Sequence, residues 1–333
     1  MLAMGVSEFG CADRLQPIEL EIPQPAPGEV VVRLSRSGVN FIDVYMRSGI
    51  YKRSETYKTP LPLVLGMEGA GVVERLGAGV TGFSVGERVA YSLSRGSYAQ
   101  FAAVPAWKVA KLPDGVTDDQ AAALMLQGAT AHYLTHCAYA LKPGDRCLVQ
   151  AAAGGVGQLL TQLAKRAGAE VFATVGSPEK AELAKQRGAD HTILYREEDF
   201  RERVLALTGG AGVDVVYDSV GADTIARSIR SLRRRGTCVL FGASSGVVQS
   251  IEPLELAEAG SVFFTRPHLA DYMASAEEIA WRAGDLFAAV MDGSLHVAID
   301  RHFALSEAAA AHRALEGRTT RGKLLLEIDD GVA

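Results

Sequence analysis

Much of what this chain lacks narrows its function. No stretch of 18 apolar residues occurs, so no membrane-spanning helix is expected. The start, Met1-Leu-Ala-Met-Gly, has neither a basic n-region nor an apolar h-region, so no secretory leader is expected. Cysteine is scarce: Cys11, Cys137, Cys147 and Cys238 lie far apart, without C-x-x-C or a ladder of ligand spacings. That argues for a reducing cytoplasm and against a metal site built on thiolates. A surplus of positive charge is also missing. The 34 Lys and Arg against 39 Asp and Glu leave a net charge of -5, so nucleic acid and anionic membranes are not expected as partners. There is no internal repeat and no low-complexity segment.

What is present divides into two patterns. The 333 residues, 48% hydrophobic, are enough for two domains with a sizeable core. The first 124 residues are rich in Gly, Pro and β-formers. Strands are predicted at 29–34, 71–76 and 86–91, separated by turn signals at Pro25-Ala-Pro27-Gly28, Gly77-Ala-Gly79 and Pro113-Asp-Gly115. Short strands so spaced suggest a partly open barrel. A helix is predicted over 118–140, interrupted in composition by Gly128.

From residue 146 strands and helices alternate, with strands predicted at 146–151, 169–175, 190–194, 213–217, 236–241 and 261–264. Alternation of this kind implies a parallel sheet covered on both faces. Ser177-Pro178-Glu179 reads as a helix start: a capping hydroxyl, proline at the first position, then an acid against the dipole. Beyond about residue 266 the pattern gives a helix over 275–293, a strand near 298–301, a helix over 306–316 and a strand over 323–328.

The first predicted strand runs into Gln150-Ala-Ala-Ala-Gly-Gly-Val-Gly157, followed by apolar residues at helical spacing. Strand, glycine turn and helix form the context of a dinucleotide fingerprint. Its first glycine is replaced by Ala152, while Gly154 and Gly157 hold the other two places. The second absence is more telling. Where NAD sites carry an acid about 20 residues past the glycines, the second strand ends Thr174-Val175-Gly176-Ser177 without a carboxylate. Lys180 and Tyr195 stand nearby, an ammonium and a phenol suited to a 2′-phosphate. NADPH is therefore expected over NADH. The plain alternative for the two is a solvated helix lysine and a surface tyrosine.

Seven motifs carry a resemblance: Gly38-Val-Asn-Phe-Ile-Asp-Val-Tyr45, Gly66-Met-Glu-Gly-Ala-Gly71, Ala151-Ala-Ala-Gly-Gly-Val-Gly157, Tyr195-Arg-Glu-Glu-Asp199, Val216-Tyr-Asp-Ser-Val-Gly221, Phe241-Gly-Ala-Ser-Ser-Gly246 and Thr265-Arg-Pro267. Over essentially its whole length the chain resembles the zeta-crystallin-like quinone oxidoreductases, the zinc-free branch of the medium-chain dehydrogenases/reductases. The resemblance implies an α/β fold: a GroES-like barrel domain from 1–124 and 266–333, and a Rossmann domain over 125–265 that is a doubly wound parallel sheet. It implies NADPH bound between the two and reduction of a quinone or activated alkene, in a protein that is commonly a homodimer or tetramer. The apolar segment Ser261-Val-Phe-Phe264, at what the fold order makes a sheet edge, adds the expectation of a homodimer whose Rossmann sheets join edge to edge.

By motif, the resemblance places Asn40, Asp43 and Tyr45 at the nicotinamide and acceptor, Asn40 also among the cofactor-binding residues. It places Thr130, Gly154, Gly155, Val156, Gly176, Ser177, Lys180 and Tyr195 against the nucleotide. Ser219, Phe241, Gly242, Ala243 and Ser244 match loops after later strands, Phe264, Thr265 and Arg266 flank the nicotinamide, and Arg318 reaches the phosphates. Met67 and Ala243 depart from the branch, Ala243 standing where a relative has asparagine.

Zinc-dependent relatives carry histidine in Gly-His-Glu and cysteine ligands. Here Met67 takes the histidine's place and Asn40 that of the first cysteine. Neither suits catalytic zinc, so no metal is expected. Asn40 offers a donor and an acceptor, for the ligand or for its own loop backbone. Tyr45 and Tyr51 offer phenols to a developing oxyanion, or simply pack. Asp43, taken as exposed, is expected to be ionised and structural. His132 and His136 are four apart without an evident third ligand, and Arg233-Arg-Arg235 reads as a helix end. The expected activity is NADPH:quinone oxidoreduction. The alternatives are an enone, 2-alkenal or enoyl-thioester reductase, or a redox-inactive crystallin-like protein that is structural or binds RNA.

Overall fold

The computed structural model describes residues 1–317 and 319–329. The chain divides into two compact units: Met1–Ala129 together with the chain from Met273 onward, and Thr130–Tyr272. Both divisions fall later in the chain than 124/125 and 265/266. The helix Gln127–Tyr133 carries the first past residue 125. At the second, the turn Leu269–Tyr272 packs with the sheet unit, the Tyr272 ring lying 4.4 Å from that of Tyr133.

In the first unit the long strand Glu29–Val39 is the hub. It pairs antiparallel with Glu68–Leu76, Phe101–Pro105 and Lys323–Glu327. The seven-stranded sheet continues through Arg88–Ser92 to Val109–Lys111 on one side and to Ile299–Ala304 on the other. Val30, Val31 and Val32 are all buried, which fits a strand covered on both faces. Its register against Glu68–Leu76 shifts at Val31/Val32 and at Leu34/Arg36. Such irregularities bend a strand and increase its twist, so the sheet curls into the partly open barrel. A smaller sheet joins Leu2–Val6 to Gln16–Glu19 and Leu63–Val64. The helix Ala276–Met291 buries Ile279, Ala283, Leu286 and Phe287, one face at helical spacing, and Ser275 caps it.

The second unit is a six-stranded parallel sheet. Its order is His191–Leu194, Glu170–Val175, Arg146–Val149, Val213–Asp218, Leu232–Leu240, Phe263–Thr265. Leu148, Phe172, Ile193, Val216 and Cys238 meet in its core. The first strand in sequence lies inside the sheet, flanked by the second and the fourth. The order therefore reverses there, and that switch point is where doubly wound sheets bind ligands. Pro178–Gln186 starts as expected, with Ser177 Oγ accepting from Lys180 N–H at 3.4 Å.

Two local expectations are corrected, and one element is added. The single helix over 118–140 is broken into Asp118–Leu124 and Gln127–Tyr133, and Leu134–Ala138 winds as a π-turn. Arg233-Arg-Arg235 is not a helix end: Ile225–Arg230 stops earlier, and the arginines lie in the strand Leu232–Leu240. They sit where its register shifts, with Arg235 at φ 58°, so like-charged side chains bulge outward. Finally, the segment after Val39 forms a helix, Phe41–Ser48, that periodicity did not announce.

Candidate functional site

The glycine turn of the second unit shows why alanine replaces the first fingerprint glycine. Left-handed backbone is adopted by Ala151, at φ 53°, and not by Ala152. Ala152 needs only to be small, and it is completely buried. The turn is pinned by Ala151 N–H to Thr174 Oγ1 at 3.2 Å and by Ala152 N–H to the Thr174 carbonyl at 3.1 Å. A Cβ on Gly157 would sit 2.4 Å from the Ala151 carbonyl oxygen and 2.7 Å from Ala152 Cα. Only glycine lets the helix Gly155–Arg166 approach its strand so closely. Gly154 precedes that helix with extended backbone. The first-turn N–H groups, including those of Gly155 and Val156, are thus free of side-chain cover and oriented for an anion.

At the next strand end the structure brings Gly176 and Tyr195 together. A Cβ on Gly176 would lie 2.7 Å from the Tyr195 hydroxyl, and Tyr195 is 42% exposed. Lys180 is the third residue of the helix capped by Ser177 on the same strand end. Across the switch point, Ser219 and the loop after Leu232–Leu240 also meet. Phe241 N–H donates to the Asp218 carbonyl at 2.8 Å and Ser244 N–H to the Ser219 carbonyl at 3.2 Å. A Cβ on Gly242 would fall 2.4 Å from Ser219 O. Ala243 lies in this loop. Phe264, Thr265 and Arg266 follow at the last strand, with Arg266 Nη1 donating to Pro267 O at 2.8 Å. Thr130 is nearly buried on the helix Gln127–Tyr133. Arg318 lies outside the described residues.

Sequence reading missed the layer beneath these loops. Thr174 Oγ1 donates to Gln150 Oε1 at 2.6 Å, Gln150 Nε2 to Ser228 Oγ at 3.2 Å, and Ser228 Oγ to Asp218 Oδ2 at 2.7 Å. Asp218 Oδ1 also accepts the N–H groups of Val220 and Gly221, at 2.8 and 3.0 Å, which shapes the Ser219 loop. His132 and His136 stack with centroids 4.0 Å apart, and His136 Nδ1 contacts the His132 carbonyl at 2.9 Å.

In the barrel unit, Asn40 ends the hub strand and begins the helix Phe41–Ser48. Asp43 is its capping partner: Oδ2 accepts from Asn40 N–H at 2.9 Å and from the Tyr98 hydroxyl at 3.2 Å. Its expected exposure is corrected, because Asp43 is completely buried. Burial pushes its pKa up to about 7, against the lowering effect of the Asn40 N–H and Lys323. Tyr98 OH also meets His312 Nε2 at 3.0 Å, and burial with the nearby Arg47 charge drives His312 down to about 3.

The Asn40 carboxamide is fully engaged. Nδ2 donates to Gly38 O at 3.2 Å and to Glu68 Oε2 at 2.9 Å. Oδ1 accepts from Lys323 Nζ at 2.7 Å and from Gln127 Nε2 at 3.3 Å. Lys323 Nζ and Glu68 Oε2 close the array at 2.5 Å, with side chains 1% and 0% exposed. Burial lowers the Lys323 pKa and the Glu68 carboxylate opposes that shift. None of Glu68, Lys323 and Gln127 was a candidate in the sequence. The other polar candidates form an aromatic run. Tyr51 lies edge-on to Tyr45 at 5.5 Å and stacks on Tyr57 at 5.3 Å, while Phe41 is 6.0 Å from Tyr45.

Two family profiles match the chain: alcohol dehydrogenase GroES-like domain over residues 26–114 and zinc-binding dehydrogenase over residues 155–283. The chain is 44% identical over 330 residues to the 2-haloacrylate reductase of a Burkholderia species, covering 98% of each. It is 43% identical over 319 residues to a quinone oxidoreductase of Pseudomonas aeruginosa, covering 96% of this chain and 97% of that one. The crystal structure of Escherichia coli quinone oxidoreductase complexed with NADPH superposes with a TM-score of 0.95 at 40% identity, covering 98% of this chain and 100% of that chain.

The second profile's name implies zinc, and the donors here do not fit it. Asn40 and Glu68 converge on an ammonium, a cation that is already tetrahedral and offers no lone pair, and Met67 supplies only a buried thioether. Among the described residues, no group of three or more His, Cys, Asp or Glu side chains is placed to hold a metal. Two matched domains, the curled barrel, the switch-point glycine turn and full-length similarity to quinone oxidoreductases agree, and the chain belongs to the quinone oxidoreductase family, the zinc-free branch of the medium-chain dehydrogenases/reductases.

Proposed function

We propose that this chain is a zinc-independent NADPH:quinone oxidoreductase. The carrying observation is the acid-free end of Glu170–Val175, where Gly176, Ser177, Lys180 and the exposed Tyr195 stand in place of a carboxylate. A 2′-phosphate meets no repulsion there and gains an ammonium and a phenol. NADPH, when bound, supplies the hydride. The chain's own residues do the holding. First-turn N–H groups after Gly154 receive the pyrophosphate. Thr130, Ser219, the loop Phe241 to Ser244, and Phe264 to Arg266 line the rest of the nucleotide. Phe41, Tyr45, Tyr51 and Tyr57 offer aromatic faces to a planar acceptor. A quinone carries the incoming charge on its own oxygen, so no Lewis acid is required of the protein. One proton then completes the hydroquinone.

A second reading, reduction of an activated alkene, is favoured by the 44% identity to a 2-haloacrylate reductase. Both are tested by following NADPH oxidation with benzoquinone, phenanthrenequinone, 2-chloroacrylate and crotonyl-CoA in parallel, before and after dialysis against EDTA. Quinone turnover that survives dialysis is the expected result. Preference for 2-chloroacrylate moves the assignment to the alkene, and loss restored by zinc overturns metal independence. Lys180→Ala is expected to weaken NADPH by roughly 1.5–3 kcal/mol while NADH is little changed. Equal losses for both cofactors remove the 2′-phosphate assignment.

The same reading includes a homodimer joined at sheet edges. Phe263–Thr265 is the edge strand of the parallel sheet, and Phe263 is 63% exposed. An uncovered apolar edge favours pairing, and closed two-fold pairing is the commonest arrangement. The four free cysteines support a reducing cytoplasm. Among the described residues no helix is long and apolar enough to cross a membrane.

A further inference from the structure

The buried array around Asn40 has a direction, set by which atoms can only donate. Lys323 is an ammonium with donors alone. It stands 2.7 Å from one end of the Asn40 carboxamide, so that end must be Oδ1. The other end is then Nδ2, and it points at the Glu68 carboxylate as a donor should. A flipped amide would set N–H against ammonium and oxygen against carboxylate, both buried. With Oδ1 fixed, the Gln127 amide must turn its Nε2 toward it, as it does at 3.3 Å. The orientation of Gln127 therefore follows from an ion pair two side chains away.

Glu68 holds Gln127 a second way. Its Oε1 accepts Leu126 N–H at 2.5 Å, in the break between the helices Asp118–Leu124 and Gln127–Tyr133. The carboxylate thus pins the backbone immediately before Gln127, while its partner Asn40 pins the side chain. Asn40 accepts two bonds and donates two, and both Glu68 oxygens are used. Gln127 Oε1 is the one carboxamide oxygen of the array that these bonds leave unused. Gln127 keeps 9% of its surface exposed, where Asn40, Glu68 and Lys323 keep 2%, 0% and 1%. Thr130 is three residues further along the same helix and on the same face.

We propose that Gln127 Oε1 is a ligand-facing hydrogen-bond acceptor and that Lys323, Glu68 and Asn40 are the positioning residues that aim it. Its ligand is an O–H or N–H donor: a hydroxyl or carboxamide of the nucleotide, or the hydroxyl formed on the reduced acceptor. This rests on the proposed function for the identity of the two ligands only. Failure of the wild-type enzyme to oxidise NADPH with any acceptor sinks that reading. The present one is judged separately, by NADPH titration as well as by rate.

Gln127→Met keeps the helix and the volume and removes the acceptor. Asn40 stays held by Lys323, so folding is spared. The expected result is a roughly three- to tenfold loss. If the nucleotide supplies the donor, the NADPH Kd rises by that factor. If the acceptor supplies it, Kd is unchanged and kcat/KM for benzoquinone falls. An enzyme unaltered in Kd, KM and kcat overturns the proposal. The aiming is tested by Lys323→Met combined with Glu68→Gln, a neutral replacement of the buried pair. It is expected to produce a similar loss, and to add little when Gln127→Met is already present. A fully additive loss assigns the pair a packing role and overturns the positioning claim. Should the pair replacement fail to fold, Gln127→Glu substitutes an oxygen for the donating Nε2. It is expected to turn the side chain away from Asn40 Oδ1 with the same loss, and wild-type parameters there overturn the aiming.

Discussion

The pH dependence of barrel stability tests the buried triad of Asp43, Tyr98 and His312. Asp43 has its pKa raised from 3.8 to about 7, and His312 has its pKa lowered from 6.5 to about 3. Between roughly pH 4 and 7 the folded protein holds a proton on Asp43 that the unfolded chain has released, so this group's stabilisation is lost as pH rises. Between about 3 and 6.5 the unfolded chain holds a proton on His312 that the folded one lacks, so that group's contribution grows as pH rises. The two slopes oppose each other across the same window, each about 1.4 kcal/mol per pH unit. Removing one exposes the other. Relative to wild type, Asp43→Asn should gain about 2.4 kcal/mol in going from pH 4.5 to 6.5, and His312→Gln should lose about as much. Urea unfolding followed by tryptophan fluorescence is the assay, because the chain's two tryptophans, Trp107 and Trp281, both belong to the barrel unit. Curves for both variants that run parallel to wild type across the window refute the reasoning. Parallel curves are what an Asp43 ionised and a His312 charged throughout the window would give.

Gly157→Ala should cost about 1–3 kcal/mol of stability and weaken NADPH, since its Cβ meets backbone atoms of Ala151 and Ala152 that cannot yield. Gly154→Ala, whose Cβ would meet only Ala151 O at 3.2 Å, should cost less, and equal denaturation midpoints contradict the close-approach account. Tyr45→Phe should lower kcat on a sluggish enone by less than roughly 10²-fold with NADPH affinity held; an unchanged kcat on enone and quinone alike leaves Tyr45 as packing. Phe263→Lys places a charge on the exposed edge strand and should give a monomeric mass by light scattering, whereas a retained dimer moves the contact elsewhere.

The parts of this molecule that were legible in advance are those written in local pattern. Strand and helix alternation through Thr130–Tyr272 gave all six strands in place, because a parallel sheet buried on both faces needs apolar runs separated by helices. The cap at Ser177 is a contact between neighbours in sequence and was readable for the same reason. The helix Phe41–Ser48 was not. Asp43 and Arg47 stand on its buried side, where an apolar period would need hydrophobic residues. The break at Met125 and Leu126 also left no local mark. It is held by a Glu68 carboxylate 58 residues away in sequence.

The same distinction separates the two halves of the candidate site. The residues expected against the nucleotide stand mostly in loops after strands of the parallel sheet, which glycine and the absence of an acid announce. Asn40, expected on the acceptor side, is tied to a residue the chain reaches only at its far end. Lys323 meets Glu68 across 255 positions and Asn40 across 283. In sequence Lys323 is the first residue of a strand and nothing more. Folding gives it a carboxylate and a carboxamide, and a buried ammonium without both would cost several kcal/mol. Met67 and Asn40 announced that zinc ligands were missing. The structure adds that the Lys323 ammonium lies against Asn40 Oδ1 and Glu68 Oε2 beside them, so these oxygens already serve a cation of the chain's own.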